Sequence, residues 1–141
     1  RGIRSLCRQE VFKDQIKLIT GIPGIGEVNA AIILFEIEDI NRFKSPDHLY
    51  SYAGLVPDTD DSGDTKKSKG ITHRRNIRLR SALLESSWVI IRQDPAMLML
   101  YKRYCKTMNK NKAIIRICKH LLSRIRYVLK NQKPYVQAVL K

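Results

Sequence analysis

Three groups of residues in this chain have types and spacings suited to holding phosphates. The first is Ile22-Pro23-Gly24-Ile25-Gly26, inside the stretch TGIPGIGEVNAAIIL from Thr20 to Leu34. Gly24 and Gly26 can take φ > 0 and leave no side chain in the way, and Pro23 fixes one φ of the turn. The amides of Gly24 to Glu27, opening a helix from about Val28, would point outward as orphan donors at the positive end of the helix dipole. Ile22 and Ile25 are expected to plug back between the two helices and hold the turn rigid, while Glu27 is a poor neighbour for a phosphate. The second group is Arg74, Arg75, Arg78 and Arg80, four arginines in seven residues, preceded by Lys66, Lys67 and Lys69. Arginines at a helix start oppose the dipole, whereas their forked donors suit phosphates. The third is Lys112, Arg116, Lys119, Arg126 and Lys130, stepping along one helix face at intervals of 4, 3, 7 and 4.

These groups need elements to position them, and the apolar pattern supplies helices. Leu6, Phe12, Ile16 and Ile19 mark an amphipathic helix over residues 3–19 that leads into the glycine hairpin. From Val28 to about Asp39 the chain is apolar nearly all round, which predicts the central buried helix. Ser45-Pro46-Asp47 combines an N-cap, a proline at the first helical position and an acid in the first turn, so a short helix runs to about Ala53 and stops at Gly54. The arginine group opens a helix from His73 to about Arg92 with Ile77, Leu84, Trp88 and Ile91 inward. Asp94-Pro95 restarts a helix to about Met108, with Met97, Leu98, Tyr101, Tyr104 and Cys105 inward. The last helix, from about Lys112 to Lys130, buries Ile114, Cys118, Leu121, Leu122, Ile125 and Leu129 and turns its cations the other way. Between Pro57 and Thr72 turn formers replace apolar periodicity, which predicts a long, exposed, mobile loop. Its Asp58-Thr59-Asp60-Asp61-Ser62-Gly63 start imitates a calcium loop, but the twelfth position is Lys69 where a bidentate glutamate is required.

Charge divides the chain. Residues 1–65 hold 7 Lys/Arg and 11 Asp/Glu, a net of −4, and residues 66–141 hold 20 and 2, a net of +18. An excess this one-sided is costly in self-repulsion unless a polyanion neutralises it, which points to nucleic acid. With no zinc-finger-like reading motif, backbone and shape recognition is expected rather than base readout. No apolar run has the length of a membrane span, and no signal-peptide layout is present, so the expected location is the bacterial cytoplasm with no membrane partner. Cys7, Cys105 and Cys118 are three scattered cysteines without C-x-x-C spacing, expected to be buried reduced thiols. The chain starts at Arg1 inside a helical pattern and is expected to be a piece of a longer protein: residues 1–17 the end of a linker helix, residues 18–141 a domain.

The stretch LITGIPGIGEVNAAIIL resembles the helix-hairpin-helix motif, whose members bind the DNA backbone without reading bases. Taken with GITHRRNIRLRSALLESSW, YKRY and the terminal basic helix, it is similar to the C-terminal domain of bacterial insertion-sequence transposases of the one-ten/one-sixteen class, relatives of the Piv-type DNA invertases. The similarity covers Leu18 to Lys130. It implies an all-α fold, a helix-hairpin-helix followed by a helical bundle. It implies a serine nucleophile in a Ser-Gly pair, at Ser62 beside Gly63, and an upstream domain of the same protein carrying four metal-binding acids. By the same resemblance a structured guide RNA and DNA are partners, and the full-length protein is an oligomer. No cofactor or metal is expected in this piece, and Mg2+ is expected in the upstream domain. One departure stands out: where the family has Lys-x-Gly-Asn, this chain has His73-Arg74-Arg75-Asn76, and Arg75 replaces the glycine.

The resulting expectation is the nucleic-acid-binding and nucleophile-bearing part of a DNA transposase, inactive by itself. The DNA-binding set is Ile22, Gly24, Ile25, Gly26, Lys66, Lys67, Lys69, Arg74, Arg75, Arg78, Arg80, Lys112, Arg116, Lys119, Arg126 and Lys130. Without the resemblance, Ser62 in its acidic loop is a plain turn residue, and the alternative is a non-catalytic helix-hairpin-helix module of a repair or recombination protein.

Overall fold

A computed structural model describes residues 2–55 and 76–136, with side chains from residue 9 onward. Among them are six α-helices and one 3-10 turn, with no strand: α1 (Gly2–Thr20), α2 (Glu27–Ile37), the 3-10 turn (Ile40–Arg42), α3 (Pro46–Tyr52), α4 (Ile77–Gln93), α5 (Pro95–Cys105) and α6 (Lys110–Asn131). The all-α expectation is met. The long loop expected over Pro57–Thr72 lies outside the described residues.

Caps set most boundaries, those at Ser45, Gly54 and Asp94 where the sequence places them and that at Asn109 found only in the structure. Ser45 Oγ accepts from the His48 amide at 3.2 Å, with Pro46 in the first turn of α3. Gly54, at φ +73°, then ends the helix as Leu55 N donates back to Tyr50 O at 2.9 Å. Asp94 caps α5 by accepting from the Ala96 amide at 3.0 Å. Asn109 caps α6 through the Lys112 amide at 2.9 Å.

Two expectations about burial are corrected. α2 is not the central helix: Val28 is 75% and Phe35 70% exposed, because only its Ala30, Ile33, Leu34 and Ile37 face is covered, by α1 and α4. The central helix is α6, packed against α1, α3, α4, α5 and the 3-10 turn. Its expected stripe, Ile114, Cys118, Leu121, Leu122, Ile125 and Leu129, is wholly buried, joined by Ala113, Ile117 and Val128.

The second correction is the face of α4. It begins at Ile77, with Asn76 as cap, and not at His73. Its buried residues are Leu79, Ala82, Leu83, Ser86, Ser87, Ile90 and Ile91, whereas Ile77 and Trp88 are exposed and Leu84 is half-buried. The reason is size: small residues at 82, 86 and 87 let neighbouring backbone come close, and a stripe chosen by large apolar residues falls out of phase. Ser87 Oγ satisfies itself on Cys118 Sγ at 3.2 Å, and Ser86 Oγ accepts from Asn29 Nδ2 at 3.4 Å.

Candidate nucleic-acid interface

The turn between α1 and α2 spans residues 21–26. Ile22 and Ile25 are buried, so they can offer a ligand only main chain. Gly24 stands at φ +93°, while Gly26 is extended at φ −89° and caps α2 without a side-chain bond. A Cβ on Gly24 would lie 2.8 Å from Ile90 Cβ and 2.9 Å from Ser86 O, so this glycine faces α4; a Cβ on Gly26 would meet nothing within 4 Å. The amides of Glu27, Val28 and Asn29 find no acceptor among the described residues. They open onto a depression of about 530 Å³ whose lining includes Thr20, Pro23, Glu27, Asn29, Glu85 and Gln93. That lining contains two carboxylates and no lysine or arginine. Asn29 Nδ2 donates to Glu85 Oε1 at 2.9 Å, and Glu27 already sits at the positive end of the α2 dipole. The hairpin therefore supplies donors in an acidic setting.

Ser62, Lys66, Lys67, Lys69, Arg74 and Arg75 lie outside the described residues. What the structure does define is the node that both ends of that segment reach. Asn76 N donates to Tyr52 O at 2.8 Å, so the return point lies against the end of α3. Asn76 Oδ1 accepts from the Leu79 amide at 2.9 Å, and its Nδ2 donates to Glu36 Oε1 at 2.7 Å and Tyr52 Oη at 3.1 Å. Tyr52 Oη in turn donates to Glu36 O at 2.9 Å. Arg42 donates from Nε to Ile37 O at 2.9 Å and spreads over the rings of Phe43 and Tyr52, 4.4 and 4.7 Å from their centroids. Arg80 and Arg78 join the same node. Arg80 Nε donates to Gly54 O at 3.2 Å, and exposed Arg78 lies 3.6 Å from Glu36 Oε2. Sequence reasoning missed Glu36, Arg42 and Tyr52; the one available signal was Asn76, a good cap residue directly before a helix.

On α6, Lys112, Arg116 and Lys130 are exposed, and Lys119 and Arg126 are half-buried. Arg126 Nε is buried and has no hydrogen-bond partner among the described residues. Arg116 lies over the Tyr104 ring at 5.8 Å and Lys119 over the Tyr50 ring at 5.5 Å. Tyr104 Oη and His120 Nε2 are 2.9 Å apart. Burial, then the nearby Arg124, Arg116 and Lys119, hold the His120 pKa below its ordinary value. Arg124, unlike its neighbours, is committed: its Nη1 meets buried Asp94 Oδ2 at 2.9 Å. Among the described residues no three His, Cys, Asp or Glu side chains gather to hold a metal, and no helix is long and apolar enough to cross a membrane.

Residues 16–102 match the Transposase IS116/IS110/IS902 family, a stretch that runs from the end of α1 into α5. The chain belongs to this family. The pilin gene-inverting protein of Moraxella bovis is 34% identical over 132 residues, 92% of this chain and 41% of that protein. The insertion element IS110 43.6 kDa protein of Streptomyces coelicolor is 30% identical over 107 residues, 75% of this chain and 26% of that protein. The transposase for insertion sequence element IS1111A of Coxiella burnetii is 26% identical over 106 residues, 75% of this chain and 29% of that protein. This transposase-family chain thus spans less than half the length of these relatives. No solved structure matches it.

Proposed function

We propose that this chain is the nucleic-acid-holding and nucleophile-bearing part of a DNA transposase or recombinase, with Ser62 as the nucleophile. The observation that carries the reading is membership of the transposase family across residues 16–102, a span that includes Ser62. The name of the Moraxella bovis relative, a pilin gene-inverting protein, favours site-specific DNA rearrangement as the reaction. In this reading the Ser62 hydroxyl oxygen bonds to a DNA phosphorus as the bond to the departing sugar oxygen breaks. The serine proton leaves to a base, and the departing oxygen gains a proton. In this reading the base, and the acids that would hold Mg2+, belong to an upstream acidic domain of the full-length protein.

The division at residue 17 into linker helix and domain, oligomeric assembly, and a structured guide RNA beside DNA are parts of the same reading. The cations of α6 hold the nucleic acid by its backbone, since Lys112, Arg116 and Lys130 face solvent. The helix-hairpin-helix contributes its amides and its rigidity, with Glu27 and Glu85 limiting how closely a phosphate approaches.

The test is covalent trapping: full-length protein, wild type and Ser62→Ala, incubated with magnesium and nicked element-end DNA, with any adduct mapped by mass spectrometry. A DNA adduct on Ser62 is expected. Strand exchange that continues in Ser62→Ala with no adduct moves the chemistry to the upstream acids and leaves this chain a non-catalytic binding module.

A further inference from the structure

Tyr104 on α5 and His120 on α6 form a shelf that the preceding reading does not use. Their ring centroids are 6.1 Å apart with planes inclined by only 27°, and Tyr104 Oη meets His120 Nε2 at 2.9 Å. The Arg116 guanidinium lies over the Tyr104 ring, 5.8 Å from its centroid, as the cation on the side from which a base would enter. Lys119 leans toward α3, 5.5 Å from the Tyr50 centroid. Three helices thereby bring together two half-buried tyrosines, an exposed imidazole and two cations, Arg116 exposed and Lys119 half-buried. We propose that Tyr104 and His120, flanked by Arg116 and Lys119, dock an unpaired nucleotide of a DNA or RNA strand.

The site rests on the reading that α6 faces nucleic acid, and it specifies which form. Base stacking on an aromatic side chain contributes about 1–3 kcal/mol per base and needs an open base face. Within a duplex that face is covered by neighbouring pairs, so rings are useful only to an unpaired base. Arg116 and Lys119 supply the phosphate partners. An acidic protein surface would use these cations without needing the rings.

The charges around His120 add a signature. The groups that face it are Arg116, Lys119 and Arg124 on its own helix and Tyr104 on α5; Arg124 is itself paired with Asp94. Burial and the three cations keep the free imidazole neutral to lower pH than usual. A docked phosphate offsets those cations and raises the His120 pKa, so binding takes up a proton. Affinity for the unpaired strand therefore rises as pH falls through the interval between the free and bound pKa values.

The experiment measures fluorescence anisotropy of the protein with a thymidine homopolymer, a uridine homopolymer and a duplex of equal length, at about pH 6 and pH 8. Tyr104→Leu, which keeps apolar volume without a ring, weakens the homopolymers about tenfold and the duplex far less. His120→Gln removes the extra affinity at the lower pH. Ultraviolet crosslinking of the wild type to a bromouridine-substituted strand places the adduct on Tyr104 or His120, and the homopolymer more affected by Tyr104→Leu identifies DNA or RNA as the source. Crosslinks confined to other residues, or equal losses for duplex and homopolymers in Tyr104→Leu, overturn the proposal. Duplex binding with normal salt dependence alongside no homopolymer binding overturns it while leaving the α6 reading intact; failure of all three probes overturns both.

Discussion

Gly24 sits so close to Ile90 that a Cβ added to the glycine would be 2.8 Å from the isoleucine's own Cβ. This contact joins the α1–α2 hairpin to α4, and it gives the most recognisable residue of the motif a packing role.

Gly24→Ala is therefore expected to destabilise strongly. The positive φ costs about 1–2 kcal/mol for a side chain, and the clash with Ile90 and the Ser86 carbonyl costs about 1–3 kcal/mol more. Gly26→Ser, placed in open space at an uncapped N-terminus, should be neutral or stabilising by a few tenths of a kcal/mol, roughly the difference between cap residues. Urea denaturation of both variants checks the contrast; comparable losses would contradict it.

Asn76→Ala should cost about 2 kcal/mol, since it removes the α4 cap and the bonds to Glu36 and Tyr52 together. On the proposed role of Ser62, its effect on strand exchange should exceed its effect on duplex binding, because the node holds Gly54 and Asn76, which lie on either side of that serine in the chain. Paired denaturation and activity assays on the full-length protein would show this, and a stability loss near zero would remove the node from the account.

Arg124→Ala is expected to cost about 3–5 kcal/mol, because it leaves the buried Asp94 carboxylate without its partner. Asp94 is only 2% exposed, and its Oδ1 also caps α5. Asp94→Ala removes that cap but leaves unpaired only Arg124, the more exposed of the two, so it should cost less. Thermal unfolding of the two variants orders them.

Burial pushes the Cys118 thiol up to about 11 from its ordinary value of 9.0, with the contact to Ser87 pulling the other way. A group whose folded pKa is raised adds stability that is complete below the unfolded pKa and lost as pH climbs through the folded one. Cys118 should therefore give a stability loss of about 2 kcal/mol between pH 9 and pH 11 that Cys118→Ala lacks. The difference between wild-type and variant stability across that interval is the measurement. Iodoacetamide should alkylate Cys118 only after unfolding.

Local chemistry made much of this protein legible. Ser45-Pro46-Asp47 and Asp94-Pro95 each start a helix here, because cap and proline act on the adjoining turn. The period of Ile114 to Leu129 likewise needs only one helix to be seen, and all six of its apolar residues are buried. The face of α4 was not legible in that way. Ser86 and Ser87 are buried because Gly24, Asn29 and Cys118 come to them, and serines carry no apolar signal of their own.

The sequence by itself determined the approximate helices, the caps at Ser45 and Asp94, the separation of charge between the two halves and the family. Those properties depend on neighbours within a few residues, or on motifs held in order along the chain. Only the tertiary structure decided that α6 and not α2 is central, that Asp94 answers Arg124, and that Tyr104 meets His120. Each joins residues 16 or more positions apart, or different helices, so helical periodicity, which orders residues within one helix, is silent about them.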